Sequence, residues 1–191
     1  MRFLTLLLIA FTFISAPAFS ADEKTMEVEV EVKAQAQYSL PTNLELPDHR
    51  GKTRSFEDLT GENGLVIVFF RSAEWCPYCQ VQLLELQMNK ERFDELGYNL
   101  VGVSYDNLHV LDLFYTRKNL DFPLLGDPKS KTIRAFGILN EEHKEGSFAY
   151  GVPHPTIYIV NKNKQVLKTL SEEGYKKRPE VDDIIAAIPT N

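Results

Sequence analysis

Residues Leu65–Leu86 read LVIVFFRSAEWCPYCQVQLLEL. The stretch changes character halfway. Leu65–Phe70 has no polar residue and is rich in β-branched and aromatic side chains, which predicts a strand covered on both faces. From Pro77 onward good helix formers dominate. Cys76 and Cys79, the only two cysteines in the chain, therefore fall where a buried strand ends and a helix begins. Pro77 stands just inside that helix, where its missing N–H costs nothing. Residues three apart on a helix lie about 5–6 Å apart at Cβ, so the pair can close a disulfide without large rearrangement.

Position sets the chemistry. A helix N-terminus carries unpaired N–H groups and a partial positive charge, and both favour a thiolate over a thiol. Cysteines placed this way in C-x-x-C motifs have pKa values lowered to about 3.5–7.5. Cys76, nearer the helix start, is the expected nucleophile. Cys79, one turn inside, is more shielded and would attack the mixed disulfide to release the partner. Two other readings compete. A zinc half-site needs two further ligands, and His49, His109, His143 and His154 show no H-x-x-x-H-type spacing. An inert staple is weak because so short a loop removes little entropy from the unfolded chain.

The 191 residues suffice for one domain with a real core, and 43% hydrophobic with 25% charged residues is ordinary for a globular chain. A net charge of −6 argues against nucleic acid or an anionic membrane surface as partner. The first twenty residues read as a signal peptide. Arg2 supplies the positive charge, Phe3–Ile14 is apolar apart from Thr5 and Thr12, and Ala18-Phe19-Ser20 fits a cleavage site. An uncleaved anchor and cleavage after Ala18 are the alternatives. Either way the thiols would face an oxidising compartment beyond the inner membrane, the periplasm in a Gram-negative host. No later segment is long and apolar enough to span a bilayer, so no stable insertion is expected after cleavage.

Residues 21–40 read as an extension. Met26, Val28, Val30 and Val32 alternate with Glu27, Glu29 and Glu31, a strand period. The domain proper is placed at 41–191. It opens with short strands at Leu44–Leu46 and Lys52–Arg54 around a turn, and Ser55 with Asp58 marks a helix start. The helix after the cysteines is expected to run to about Leu96 and stop at Gly97, with Leu83, Leu86 and Phe93 inward and Met88 as core filler. Then come a strand at Asn99–Ser104, a helix at His109–Asn119 and an extended piece at Phe122–Leu125. A short helix closed by Gly137 follows. Asn140–Gly151 reads as a polar loop in which Glu141-Glu142-His143 is a solvated tip rather than a metal site. A hairpin at Thr156–Val160 and Gln165–Leu170 and a helix at Glu180–Ile188 end the chain. Lys176-Lys177-Arg178 reads as a solvated charge cluster. This order predicts an α/β fold with a mixed sheet flanked by helices on both sides.

Trp75-Cys76-Pro77-Tyr78-Cys79, with a helix after it and His154-Pro155-Thr156 before a late strand, resembles the thioredoxin superfamily. Leu44-Glu45-Leu46-Pro47-Asp48, Gly51-Lys52 and Phe56-Glu57-Asp58-Leu59 resemble the opening of the peroxiredoxin-like redoxins, the alkyl hydroperoxide reductase and thiol-specific antioxidant family. Phe122 to Pro128 and Ala135-Phe136-Gly137 extend the likeness, which spans about residues 40–170. The resemblance implies a thioredoxin-like fold and a cis Pro155 lying against the cysteines, with open backbone beside it for an extended substrate. It implies that Trp75, Pro77, Tyr78, His154 and Pro155 form the substrate surface, and that the chemistry needs no metal and no organic cofactor. A protonated His154 would stabilise the Cys76 thiolate; otherwise it is a loop histidine with no role.

The peroxidase branch of that family carries P-x-x-x-T-x-x-C. Counted back from Cys76, Phe69 and Ala73 hold the proline and threonine places; counted from Cys79, Ser72 and Cys76 do. His154 stands where the branch has a late arginine, leaving Arg71 as the nearby guanidinium in sequence. Those family residues orient the peroxide and stabilise the departing oxygen. The sequence therefore reads first as an extracytoplasmic thiol–disulfide oxidoreductase acting on protein thiols and disulfides with a redox partner protein. The second reading is a thiol peroxidase with antioxidant activity, reducing hydroperoxides through Cys76.

Overall fold

A computed structural model describes residues 38–172, 174 and 176–189. The signal peptide and the alternating 26–32 stretch lie outside the described residues. The elements, in chain order, are β1 (Tyr38–Ser39), β2 (Glu45–Pro47), β3 (Thr53–Ser55), α1 (Phe56–Leu59), β4 (Gly64–Phe69), α2 (Pro77–Met88) and α3 (Lys90–Glu95). They continue with β5 (Tyr98–Ser104), α4 (Leu108–Lys118), β6 (Leu124–Gly126), α5 (Lys131–Ala135), β7 (Thr156–Asn161), β8 (Gln165–Leu170) and α6 (Val181–Ala186).

A six-stranded mixed sheet runs β1-β8-β7-β4-β5-β6. β4 pairs parallel with β5 and antiparallel with β7, which makes it a central strand. The alternating side chains of β4 and of Phe70 just after it feed two cores. Val66, Val68 and Phe70 join Leu83, Leu86, Phe93, Leu111 and Ile184 on one face. Leu65, Ile67 and Phe69 join Leu44, Leu46, Phe56, Ile133 and Phe136 on the other. A strand with both faces buried has no place for a polar side chain, which is why the run reads as continuously apolar. β2 and β3 form a separate two-stranded sheet, and Ser55 and Asp58 make the expected capping box of α1.

The helix after the cysteines differs from expectation. It is interrupted at Asn89, whose side-chain amide donates to the Glu85 carbonyl and whose own backbone is not helical. A residue that competes for helix carbonyls ends α2, and a second helix starts at once. The break turns Met88 outward. It is 82% exposed and is no core filler. Leu83, Leu86 and Phe93 are fully buried as expected, and Gly97 turns the chain with φ of +73°.

Candidate active site

The end of β4 delivers the chain to the cysteines through residues 71–75, and that loop is held from behind. Asp106, just past β5, accepts the Ser72 hydroxyl at 2.8 Å and the Ala73 N–H at 2.7 Å. The Ser104 hydroxyl binds the same carboxylate at 2.9 Å. Burial pushes the Asp106 carboxyl up, and these three bonds only partly offset it. From the other side, the Gln80 amide donates to the carbonyls of Ala73 and Glu74. A loop tied at both faces keeps the helix start in a fixed place.

Cys76 is the N-cap of α2, with Pro77 in the first helical position. The Cys79 N–H donates to Cys76 Sγ at 3.3 Å. The two cysteines form a disulfide with Cα atoms 5.3 Å apart. Cys76 is 2% exposed and Cys79 fully buried.

The charge on the sulfurs comes from an unexpected residue. Arg178 Nη2 lies 3.4 Å from Cys79 Sγ and 3.8 Å from Cys76 Sγ. Lys176 and Lys177 are exposed, as a solvated cluster should be, but Arg178 is half-buried against the redox pair. The solvated reading fails for that residue because its guanidinium reaches inward while its neighbours point out. Burial, with the Arg71 guanidinium nearby, lowers Arg178 to about 10, which leaves it cationic at neutral pH. The segment Gln165–Arg178 offers no motif that marks this contact; the reversal of one side chain in a run of cations has no sequence signature.

Trp75 is fixed on several sides. Its indole N–H donates to the Tyr105 hydroxyl at 3.0 Å, which in turn donates to the Phe148 carbonyl. Arg71 lies over its ring at 4.7 Å and reaches His143 at 3.4 Å. The Phe148 ring, 77% exposed, meets Trp75 edge-on. So the loop at 140–151, read as a polar tip, brings the Phe148 ring and carbonyl and the His143 ring to the motif. Tyr78 is exposed beside them.

The expectations for His154 and Pro155 are corrected in part. No peptide bond among the described residues is cis, so the His154–Pro155 bond is trans. The chain enters β7 already extended: Pro153 bridges to Leu139 and the His154 N–H binds the Ile138 carbonyl at 2.7 Å. This path lets the ordinary trans form, favoured by about 0.5–1 kcal/mol, serve. His154 is exposed; the side chain that meets the sulfurs is Arg178. Among the described residues no cluster of metal-ligating side chains is present.

A cysteine pair closing a helix start beside a central strand, under a guanidinium, defines a thiol-dependent redox enzyme on a thioredoxin-like fold. The AhpC/TSA family model matches residues 38–169, and the chain belongs to that family. A Mycobacterium tuberculosis protein bearing the name peroxiredoxin is 34% identical over 122 residues, 64% of this chain and 76% of that one. The bcp peroxiredoxin of Haemophilus influenzae is 27% identical over 127 residues, 66% and 80% of the two chains. Among solved structures, peroxidoxin BcpB from Mycobacterium tuberculosis superposes with a TM-score of 0.68 at 23% identity, over 80% of this chain and 95% of that one. The Xanthomonas campestris bacterioferritin comigratory protein, described by its alkyl peroxide reduction, gives 0.63 at 24% identity, over 75% and 88%. These two likenesses are of fold.

Proposed function

We propose that the protein is a thiol peroxidase that reduces hydroperoxides through Cys76 and resolves through Cys79. The observation that carries this reading is the placement of Cys76 Sγ at the start of α2, bonded by the Cys79 N–H and with Arg178 Nη2 beyond it. Amide and guanidinium donors stabilise a sulfur anion, and a guanidinium beside the sulfur offers charge for a departing oxygen. Membership of the AhpC/TSA family and relatives named as peroxiredoxins support the choice of peroxide as oxidant.

The cycle balances as follows. The Cys76 thiolate attacks one peroxide oxygen, giving a sulfenic acid and, after protonation, an alcohol or water. Cys79 attacks the sulfenic sulfur and expels hydroxide, which leaves as water. An external dithiol, a redox partner protein by class, then reduces the disulfide. Residues 1–20 support the further reading that this happens outside the cytoplasm.

A second reading has its own observation. Phe69 and Ala73, at the proline and threonine places of the peroxidase branch, are buried and have no side-chain hydrogen-bonding group to meet a peroxide. That favours thiol–disulfide exchange with other proteins through the same pair. Stopped-flow consumption of hydrogen peroxide and cumene hydroperoxide by the reduced protein separates the two. The peroxidase reading expects rapid consumption abolished by Cys76→Ser, and a sulfenic acid on Cys76 captured by dimedone in Cys79→Ser. Consumption no faster than that of a free thiol, together with efficient insulin reduction, would replace it by the exchange reading.

A further inference from the structure

Resolution asks of Cys79 something that its surroundings oppose. The residue is fully buried within an apolar cluster with Val68, Phe70 and Leu83. A thiol in apolar surroundings is held in its protonated form, yet the thiolate is the species that attacks sulfur. The helix start does not help this sulfur: the N–H of Cys79 itself points at Cys76 Sγ. The cation at hand is Arg178, whose Nη2 is closer to Cys79 Sγ, at 3.4 Å, than to Cys76 Sγ, at 3.8 Å.

We propose that Arg178 is a positioning residue for the resolving step, holding the buried Cys79 as the thiolate that closes the disulfide. The amide at the start of α2 serves the attacking sulfur alone, whereas the guanidinium brought from the far end of the chain reaches both sulfurs and lies nearer the resolving one. The assignment rests on the two-thiol cycle above, whatever first oxidises Cys76. Among the described residues, the other charged groups on the elements around Arg178 are Arg71 and Glu74 on the loop before α2, Glu85 on α2, Glu172, Lys176, Lys177 and Glu180 on its own segment, and Asp183 on α6. Arg71 opposes the charge of Arg178.

The test uses 5,5′-dithiobis(2-nitrobenzoate) on the reduced full chain, followed at 412 nm. Cys76 thiolate displaces one thionitrobenzoate and forms a mixed disulfide. Cys79 thiolate then displaces the second and leaves the protein disulfide, so the two releases report the two sulfurs in turn. Arg178→Gln is expected to slow the second release roughly ten-fold at pH 7 and to move its pH midpoint up by about one unit, a ten-fold change in thiolate fraction. The first release should also slow, but less, by about two- to three-fold, because Nη2 lies farther from Cys76 Sγ than from Cys79 Sγ, and Arg178→Lys should recover part of the loss in the second release. Circular dichroism confirms that each variant is folded; if the glutamine variant is not, the lysine variant's pH midpoint carries the test. An unchanged second release, equal slowing of both releases, or an unshifted midpoint would overturn the assignment. The expected pattern in a protein that consumes no peroxide would sustain it while removing the peroxidase reading.

Discussion

Asp106 and Ala73 stand 33 residues apart, yet the carboxylate of one accepts the backbone N–H of the other at 2.7 Å. The bond joins the end of β5 to the loop that presents Cys76, so the sheet fixes where the sulfur sits. Asp106→Ala would leave the buried Ala73 N–H without a partner, at a cost of about 1–3 kcal/mol. Asp106→Asn can keep an acceptor for it. Because burial raises the folded pKa of Asp106, its favourable contribution is greatest below the unfolded carboxyl value, about 3.9, and is lost as pH rises through the folded value. Thermal melts should therefore show wild type gaining on Asp106→Asn as pH falls from 7 toward 4. A gap that is constant with pH would contradict this.

His49 gives the opposite sign. It is buried and stacked on Tyr115 with ring centroids 3.7 Å apart. Burial first, then the Arg50 charge, lower its pKa against the pull of Asp48 and Asp112. A base whose folded pKa is depressed contributes stability above its unfolded value, about 6.5, and that is lost as pH falls through the window down to the folded value. His49→Phe keeps a ring in the stack and removes the titration. Denaturant unfolding should show a smaller loss of stability between pH 7 and 5 in the variant than in wild type.

Leu83 and Met88 lie on the same helix and should respond differently. Leu83→Ala empties a fully buried site between α2 and β4 and should cost about 2–5 kcal/mol by chemical denaturation. Met88→Ala, at an exposed end of α2, should stay within about 0.5 kcal/mol of wild type. Equal losses would mean that α2 continues past Asn89 in solution.

Much of this architecture is legible along the chain because the physics that dictates it is local. A strand with two covered faces must be apolar throughout, so Leu65–Phe70 announces itself. A proline and a pair of cysteines at helix spacing mark the start of α2, and Ser55 with Asp58 marks that of α1. What is not legible depends on contacts through space. Asn89 is an ordinary helix residue until its amide turns back on the Glu85 carbonyl, and that turn decides the fate of Met88. Arg178 is 99 residues from the cysteine it contacts. Nothing in Lys176-Lys177-Arg178 distinguishes the one cation that folds inward. Asp106 is a plain loop carboxylate until β5 sets it behind Ser72. The resemblance implied a cis bond at Pro155, whereas the path through Pro153 and Leu139 brings the chain into β7 with a trans bond.

In the proposed cycle Cys76 is ionised at neutral pH because of where α2 begins and what faces it. The most direct measurement is the rate of iodoacetamide alkylation at residue 76 of the reduced protein against pH, read by mass spectrometry. An inflection below about pH 7.5 is the predicted result. An inflection near 8.5, that of a free thiol, would contradict it.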